Sequence, residues 1–256
     1  MGKIVAIGGG EMGRPKEDSD GFYPVETTLI DKEILKLTGK FSPSLLFIPT
    51  ASYDSPNYYG VVKEHFLDLG CSEVNVLNLS DKTLTKAQTE KLILSHDAIY
   101  VGGGNTLRMM NTWKKKGVDK MLEQAFKKDI VLSGLSAGSI CWFSYGNSDS
   151  RKFTSGSDKL IKVSGLGFID ALHCPHFDVE PTRQNDLKRM MKTTPKVAIV
   201  LDNCAALEII DDQYRIIVSK PDAKARKAYW ERGEYVLQEI TINKEMHNLS
   251  SLLSKK

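Results

Sequence analysis

Two periods of apolar and polar residues alternate along the chain. Short apolar runs occur at Lys3–Ile7, Leu45–Ile48, Val74–Leu77, Ala98–Val101, Ile130–Leu132 and Val197–Leu201. Runs such as Leu45-Leu46-Phe47-Ile48 and Ala198-Ile199-Val200-Leu201 lack internal alternation, which predicts strands covered on both faces. Between them, apolar residues recur at helical spacing over Thr28–Leu37, Tyr58–Leu69, Lys86–Leu94, Leu107–Lys116, Val118–Lys127 and Thr182–Met191. This order predicts an α/β fold: a mostly parallel sheet with right-handed crossovers and helices on both faces, three layers α/β/α. The tail changes character. Ala206–Ile210, Arg215–Val218 and Tyr235–Ile240 are closely spaced strand patterns joined by polar turns, which predicts a C-terminal antiparallel extension. Residues 243–256 read as a helical or frayed end. With no internal repeat or linker, residues 1–256 are expected to form a single domain.

Distinctive turns follow the ends of these strands: Gly8-Gly9-Gly10, Pro49-Thr50-Ala51-Ser52, Gly102-Gly103-Gly104-Asn105-Thr106, Gly134-Leu135-Ser136-Ala137-Gly138 and Asp202-Asn203. In an open parallel sheet ligands bind beyond the carboxyl ends of the strands, so these turns should gather on one edge. The fourth is a G-x-S-x-G pattern between an apolar strand and Ser139-Ile140-Cys141-Trp142-Phe143, read as an apolar helix. A sharp strand-to-helix turn exposes the serine, and a Cβ on either flanking glycine would strike neighbouring backbone. The helix start then aims free N–H groups at the same point.

A serine nucleophile needs a base, a group that orients the base, and oxyanion donors. His65, His96 and His247 sit in helical or tail segments and read as packing or surface residues. His173 and His176 share the turn-forming segment His173-Cys174-Pro175-His176-Phe177-Asp178. Pro175 fixes the backbone before His176, which favours His176 as base over its rival His173. The backbone N–H of Ala137 and one from the glycine loop, Gly103, would form the oxyanion hole. Asn105 would cap the helix after that loop.

Composition adds boundaries. The formal net charge is +3, with 26% charged and 41% hydrophobic residues, which gives no electrostatic case for nucleic acid or membrane. Cys71, Cys141, Cys174 and Cys204 form no CxxC pair and suggest reduced thiols. No run reaches membrane-spanning length, and residues 1–7 read as a strand rather than a secretion signal, so a cytoplasmic location is expected. Gly8-Gly9-Gly10-Glu11-Met12-Gly13 formally satisfies G-x-G-x-x-G with Asp31 downstream, yet Arg14-Pro15-Lys16 and a polar stretch interrupt the helix a dinucleotide would need. His173, His176 and Asp178 are a weak metal set. No cofactor and no metal are expected. A non-catalytic binding protein of the same fold is the alternative to an enzyme.

Val101-Gly102-Gly103-Gly104-Asn105-Thr106, the Gly-Leu-Ser-Ala-Gly turn and Pro175-His176-Phe177 occur in an order and spacing that resembles the serine peptidase family of aspartyl dipeptidase (peptidase E) and cyanophycinase. Pro49-Thr50-Ala51-Ser52 is similar to that family too, and the likeness runs from Lys3 to the strands after Asn203. It implies a fold like class I glutamine amidotransferases, with Ser136 as nucleophile and His176 as base. Family members often carry glutamate where this chain has Asn203, beside Asp202. Asp149 resembles another acidic position of the family, so Asn203 and Asp149, then Asp202, are the groups expected to orient His176. Arg183 resembles an arginine that would bind a substrate carboxylate. The resemblance implies hydrolysis of short peptides, Asp-Xaa dipeptides among them, through an acyl-enzyme. The partners expected are a short peptide substrate and, in an oligomer, a second copy forming a homodimer; neither nucleic acid nor membrane is expected.

Overall fold

The first strand, buried on both faces, shows how the layers form. In β1 (Lys3–Ile7) Ile4 and Ala6 face one core and Val5 and Ile7 another, as a strand with apolar residues on both faces requires. The computed structural model describes residues 2–16 and 21–255. After β1 come α1 (Thr28–Leu37), β2 (Ser44–Ile48), α2 (Pro56–Asp68), β3 (Glu73–Val76), α3 (Lys86–Ser95), β4 (Ala98–Val101), α4 (Thr106–Lys116), α5 (Val118–Lys127) and β5 (Val131–Leu135). A one-turn α6 (Ala137–Ile140) leads into β6 (Phe143–Ser148), α7 (Ser150–Ser155), β7 (Ile161–Ser164), β8 (Ile169–Cys174) and α8 (Thr182–Met191). The chain closes with β9 (Ala198–Leu201), β10 (Ala205–Ile210), β11 (Gln213–Val218), β12 (Ala225–Glu231), β13 (Glu234–Glu239), β14 (His247–Asn248) and α9 (Leu249–Leu253).

The strands form two mixed sheets. The first runs β14-β11-β10-β1-β5-β4-β2-β3, parallel from β1 to β3 and antiparallel from β1 outward through β10. The second runs β13-β12-β9-β8-β6-β7, with β6, β8 and β9 parallel and the other strands antiparallel. Helices α1 and α2 cover one face of the first sheet through Ile30, Ile34, Val62 and Phe66. Helices α4 and α5 cover the other through Met109, Trp113 and Leu122, in a core shared with Ile199 and Leu201 of the second sheet. Helix α8 packs Leu187 and Met191 onto the outer face of that second sheet. The α/β class expected from the sequence holds, but the strands divide between two mixed sheets instead of one mostly parallel sheet, and antiparallel pairing reaches beyond the tail where β7 joins β6. Among the described residues no helix is long and apolar enough to cross a membrane.

One expectation needs correcting. The apolar run after Ser136 is a single helical turn rather than a helix, and by Phe143 the chain is already in β6. The carbonyls of Cys141 and Trp142 accept from Leu166 and Ile169 N–H (2.7 and 3.0 Å), which draws the backbone out of the helix. Trp142 and Phe143 suit either element, so the apolar run alone could not decide. A one-turn helix also has little dipole, so the site must rely on individual N–H groups.

Helix α2 is held by its own start: Pro56 occupies the first turn and Ser55 Oγ accepts from Tyr58 N–H (3.4 Å), as expected at an N-cap. Its Gly60 has no atom within 4 Å of where a Cβ would stand. Gly60→Ala is therefore expected to stabilise the fold by about 1 kcal/mol, read as a higher urea midpoint. A lower midpoint would contradict the open surface around α2.

Candidate active site

Ser136 sits at φ 56° and ψ −109° between β5 and α6, a backbone conformation uncommon for a residue with a side chain. Neighbours over-determine it. Ser136 N–H donates to Ile7 O (3.0 Å), and its carbonyl accepts from Ser139 and Ile140 N–H (2.9 and 3.0 Å). A Cβ on Gly134 would collide with Gly138 O, and one on Gly138 with Val101 O. Close approach of backbone, rather than a positive φ, is what these two positions require of glycine.

The turn after β1 joins the two sheets and seats the partners of Ser136. Gly8 O accepts from His176 N–H (3.2 Å), and Gly9 O accepts from Cys204 N–H (2.8 Å). His176, after β8, and Asn203, after β9, thereby meet Ser136, after β5. His176 Nε2 lies 2.7 Å from Ser136 Oγ and its Nδ1 lies 2.6 Å from Asn203 Oδ1. An amide oxygen only accepts, so Nδ1 carries the proton and Nε2 is left to accept from the serine hydroxyl. Asn203 N–H in turn donates to Asp178 Oδ1 (2.8 Å). Burial, then the nearby Arg183 charge, holds His176 below the ordinary histidine value, against the pull of Glu180 and Asp149.

Of the three groups expected to orient His176, Asn203 is the one hydrogen-bonded to it among the described residues. Asp202 is committed elsewhere, to Arg226 (2.7 Å) and to Lys224 N–H (3.1 Å). Asp149 precedes α7 and shares a small cavity with Asp158 and Glu180; it acts on His176 through space without touching it. The rival base His173 is fully buried, and burial pushes it down to about 3. Its Nδ1–H donates to Ile199 O (3.0 Å) and its Nε2 lies 2.9 Å from Ser139 Oγ, three residues beyond Ser136. That geometry dismantles the His173–His176–Asp178 metal set as well.

The Gly102–Gly104 loop passes over Ser136: a Cβ on Gly103 would lie 3.6 Å from Ser136 Cβ. Gly103 N–H donates to Tyr58 Oη (3.4 Å). Ala137 opens α6, so its N–H has no acceptor within its own helix. Asn105 caps α4 through Arg108 N–H (3.0 Å), as its position predicts.

Arg183 departs from its expected role. It is 1% exposed, with Nη1 on Asn147 O and Oδ1 (2.8 and 3.1 Å) and Nε on Glu180 Oε2 (2.6 Å). It ties α8 to β6 beneath the site and does not line the cleft, so a substrate carboxylate does not meet it there. The dinucleotide pattern fails also. Among the described residues between Gly10 and α1 there is no helix; Met12 and Pro15 form bridges with Val25 and Phe22, while Asp31 is buried against His65 and Thr27 (2.8 Å each). The Gly8-Gly9 turn serves instead as the seat of His176.

A cavity of about 600 Å³ opens beside His176 and Asn203. Met12, Pro15, Tyr58, Val61 and Leu135 supply its apolar wall, and Glu11, Arg14 and Glu26 stand on its polar side. His176 and Asn203 were expected here from the sequence, whereas Met12, Pro15, Tyr58 and Val61 were not. The helical period places α2 correctly, but which of its faces borders a site depends on the sheet it packs against.

Residues 21–217 match the pattern of Peptidase family S51. The chain belongs to peptidase family S51. It is a hydrolase, a serine-type peptidase, of the family that its glycine loop, serine turn and Pro-His-Phe segment resemble. An uncharacterized peptidase of Bacillus subtilis, YgaJ, is 33% identical over 248 residues, covering 94% of this chain and 97% of its own. An uncharacterized peptidase of Pasteurella multocida is 26% identical over 181 residues, covering 69% and 81% of the two chains. The crystal structure of a peptidase from an acI-B1 Actinobacterium superposes with a TM-score of 0.71 over 97% of both chains at 19% identity, a likeness of fold.

Proposed function

We propose that this S51 peptidase hydrolyses short peptides through an acyl-enzyme on Ser136. Ser136 Oγ attacks the scissile carbonyl as His176 Nε2 takes its proton. The oxyanion gathers the N–H of Ala137 and that of Gly103, which gives up its long contact with Tyr58 Oη to do so. Collapse breaks the C–N bond, and Nε2–H passes its proton to the leaving amine. Water then repeats the sequence on the ester and frees Ser136. Asn203 fixes the tautomer of His176 by accepting from Nδ1. A neutral amide stabilises the imidazolium less than a carboxylate would, and Glu180 and Asp149 supply some of that field from a distance.

The observation that carries this reading is the unbroken chain of short contacts from Asn203 through His176 to Ser136, set at a strained apex. A non-catalytic binding protein would have no use for it. The Asp-Xaa subclass has weaker support, because the arginine expected to bind its carboxylate is buried and paired. Four unpaired, buried cysteines favour a cytoplasmic setting. A fluorophosphonate probe should label Ser136 stoichiometrically in a preparation that cleaves members of a dipeptide library. Cleavage without labelling would move the nucleophile elsewhere.

The pH profile offers a second check. Nε2 accepts a proton only when unprotonated, so activity is lost as pH falls through the value of His176. Because burial depresses that value, the acid limb of kcat/KM is expected to have its midpoint below the ordinary 6.5. A midpoint at or above 6.5 would place the base in a wetter or more acidic environment.

A further inference from the structure

We propose that the cavity beside His176 is the subsite for an apolar side chain flanking the scissile bond, and that it discriminates against acidic residues. This rests on the serine peptidase reading for its catalytic part and names the substrate class of that same site.

Three observations converge. First, an apolar group of side chains lines the cavity that His176 borders: Leu135, which directly precedes Ser136, with Tyr58, Val61 and Met12. Burying an apolar side chain against such a wall is favourable in proportion to the area it removes from water. Second, the wall is held in place. Met12 Sδ lies 2.9 Å from Thr27 Oγ1 and 3.5 Å from Tyr100 Oη, and a Cβ on Gly102 would press on Tyr58 Cε1 at 2.8 Å. A fixed wall selects by shape and polarity, because little reorganisation accompanies binding.

Third, the charges on the polar side do not suit an acid. Glu11 accepts from Met12 and Arg14 N–H (2.9 and 3.0 Å) and bonds Arg14 Nε (2.6 Å). Glu26 accepts from Glu11 N–H (2.9 Å) and bonds Lys220. Arg14, the cation on this wall among the described residues, already faces Glu11 and lies over the Tyr23 ring, 4.7 Å from its centroid. Beneath Met12 and Thr27 the Asp31 carboxyl is fully buried against Thr27 and His65 and offers an entering acid no cation. An entering carboxylate would meet Glu11 and Glu26, and the cation that lines this wall among the described residues is already engaged by Glu11. A side chain without charge needs no partner.

The test separates binding from turnover. Ser136→Ala protein is titrated calorimetrically with two dipeptide series, Xaa-Leu and Leu-Xaa, where Xaa is Leu, Phe, Met or Asp. At one of the two positions Leu, Phe and Met should bind at least about tenfold more tightly than Asp. Val61→Lys, added in the same background, should shrink that ratio at least about fivefold by placing charge in the wall. Val61→Leu should keep it, which guards against a merely misfolded variant. Equal or better binding of Asp at both positions overturns the proposal. So does a ratio that Val61→Lys leaves unmoved, or no measurable binding of any dipeptide. If the apolar preference stands while fluorophosphonate fails to label wild-type Ser136, the acyl-enzyme reading fails and the subsite survives. If labelling succeeds and the preference is absent, the subsite fails alone.

Discussion

Ser136→Ala is expected to lower kcat/KM on a cleaved dipeptide by about 10⁴-fold or more while the protein stays folded. The size follows from what is removed. Without Oγ there is no acyl acceptor, and His176 loses the group it deprotonates 2.7 Å away. What remains is the oxyanion donors and the cleft, which can assist direct attack by water only modestly. Stability should hardly move, because the half-buried hydroxyl makes its contact with His176 and the backbone at φ 56° is fixed by Ile7, Ser139 and Ile140 rather than by the side chain. Progress curves on a single dipeptide, with thermal melts of both proteins, give the answer. A loss under about tenfold with an unchanged melt would mean that another nucleophile does the chemistry.

The serine turn was readable because backbone contact confines two of its positions to one residue type. A Cβ on Gly134 would strike Gly138 O within the turn, and one on Gly138 would strike Val101 O at the end of β4, so both must be glycine and leave a mark in the sequence. Helices α1, α5 and α8 leave one too, because their apolar faces and ends are set by near neighbours and match the periodic pattern. Strands β6, β8 and β12 left no such mark. Ala225–Glu231 carries Arg226 and Lys227 side by side, yet Arg226 turns to Asp202 while Lys227 reaches the carbonyls of Ser251 and Ser254. Partners so distant along the chain cannot be read from period. Arg183, expected to bind substrate through its likeness to a family arginine, is surrounded instead by Asn147 and Glu180, partners that period cannot show. Choosing Asn203 over Asp149 and Asp202 needed the crossing of two sheets, for which the sequence offers only likeness to relatives.

That crossing has a weak point at Gly9, where the largest effect away from the reacting atoms is expected. The position does not demand glycine for its backbone, since its φ is not positive. It demands glycine because a Cβ there would overlap both Asn203 Oδ1 and His176 Nδ1. Gly9→Ala must therefore push the imidazole or the amide aside, and a displacement near 1 Å at a catalytic base costs about 100-fold in rate. We expect kcat/KM to fall by about 10² to 10³, and labelling of Ser136 by fluorophosphonate to slow in step. A double-mutant cycle distinguishes this from general damage. Asn203→Ala removes one of the two atoms the new methyl would strike, so adding Gly9→Ala to it should cost clearly less than Gly9→Ala costs alone. Full additivity, with the melting temperature of Gly9→Ala well below that of the parent, would mean the turn supports the fold rather than the base. Unchanged labelling by Gly9→Ala would mean that the contact from Asn203 to His176 does not govern the serine at all.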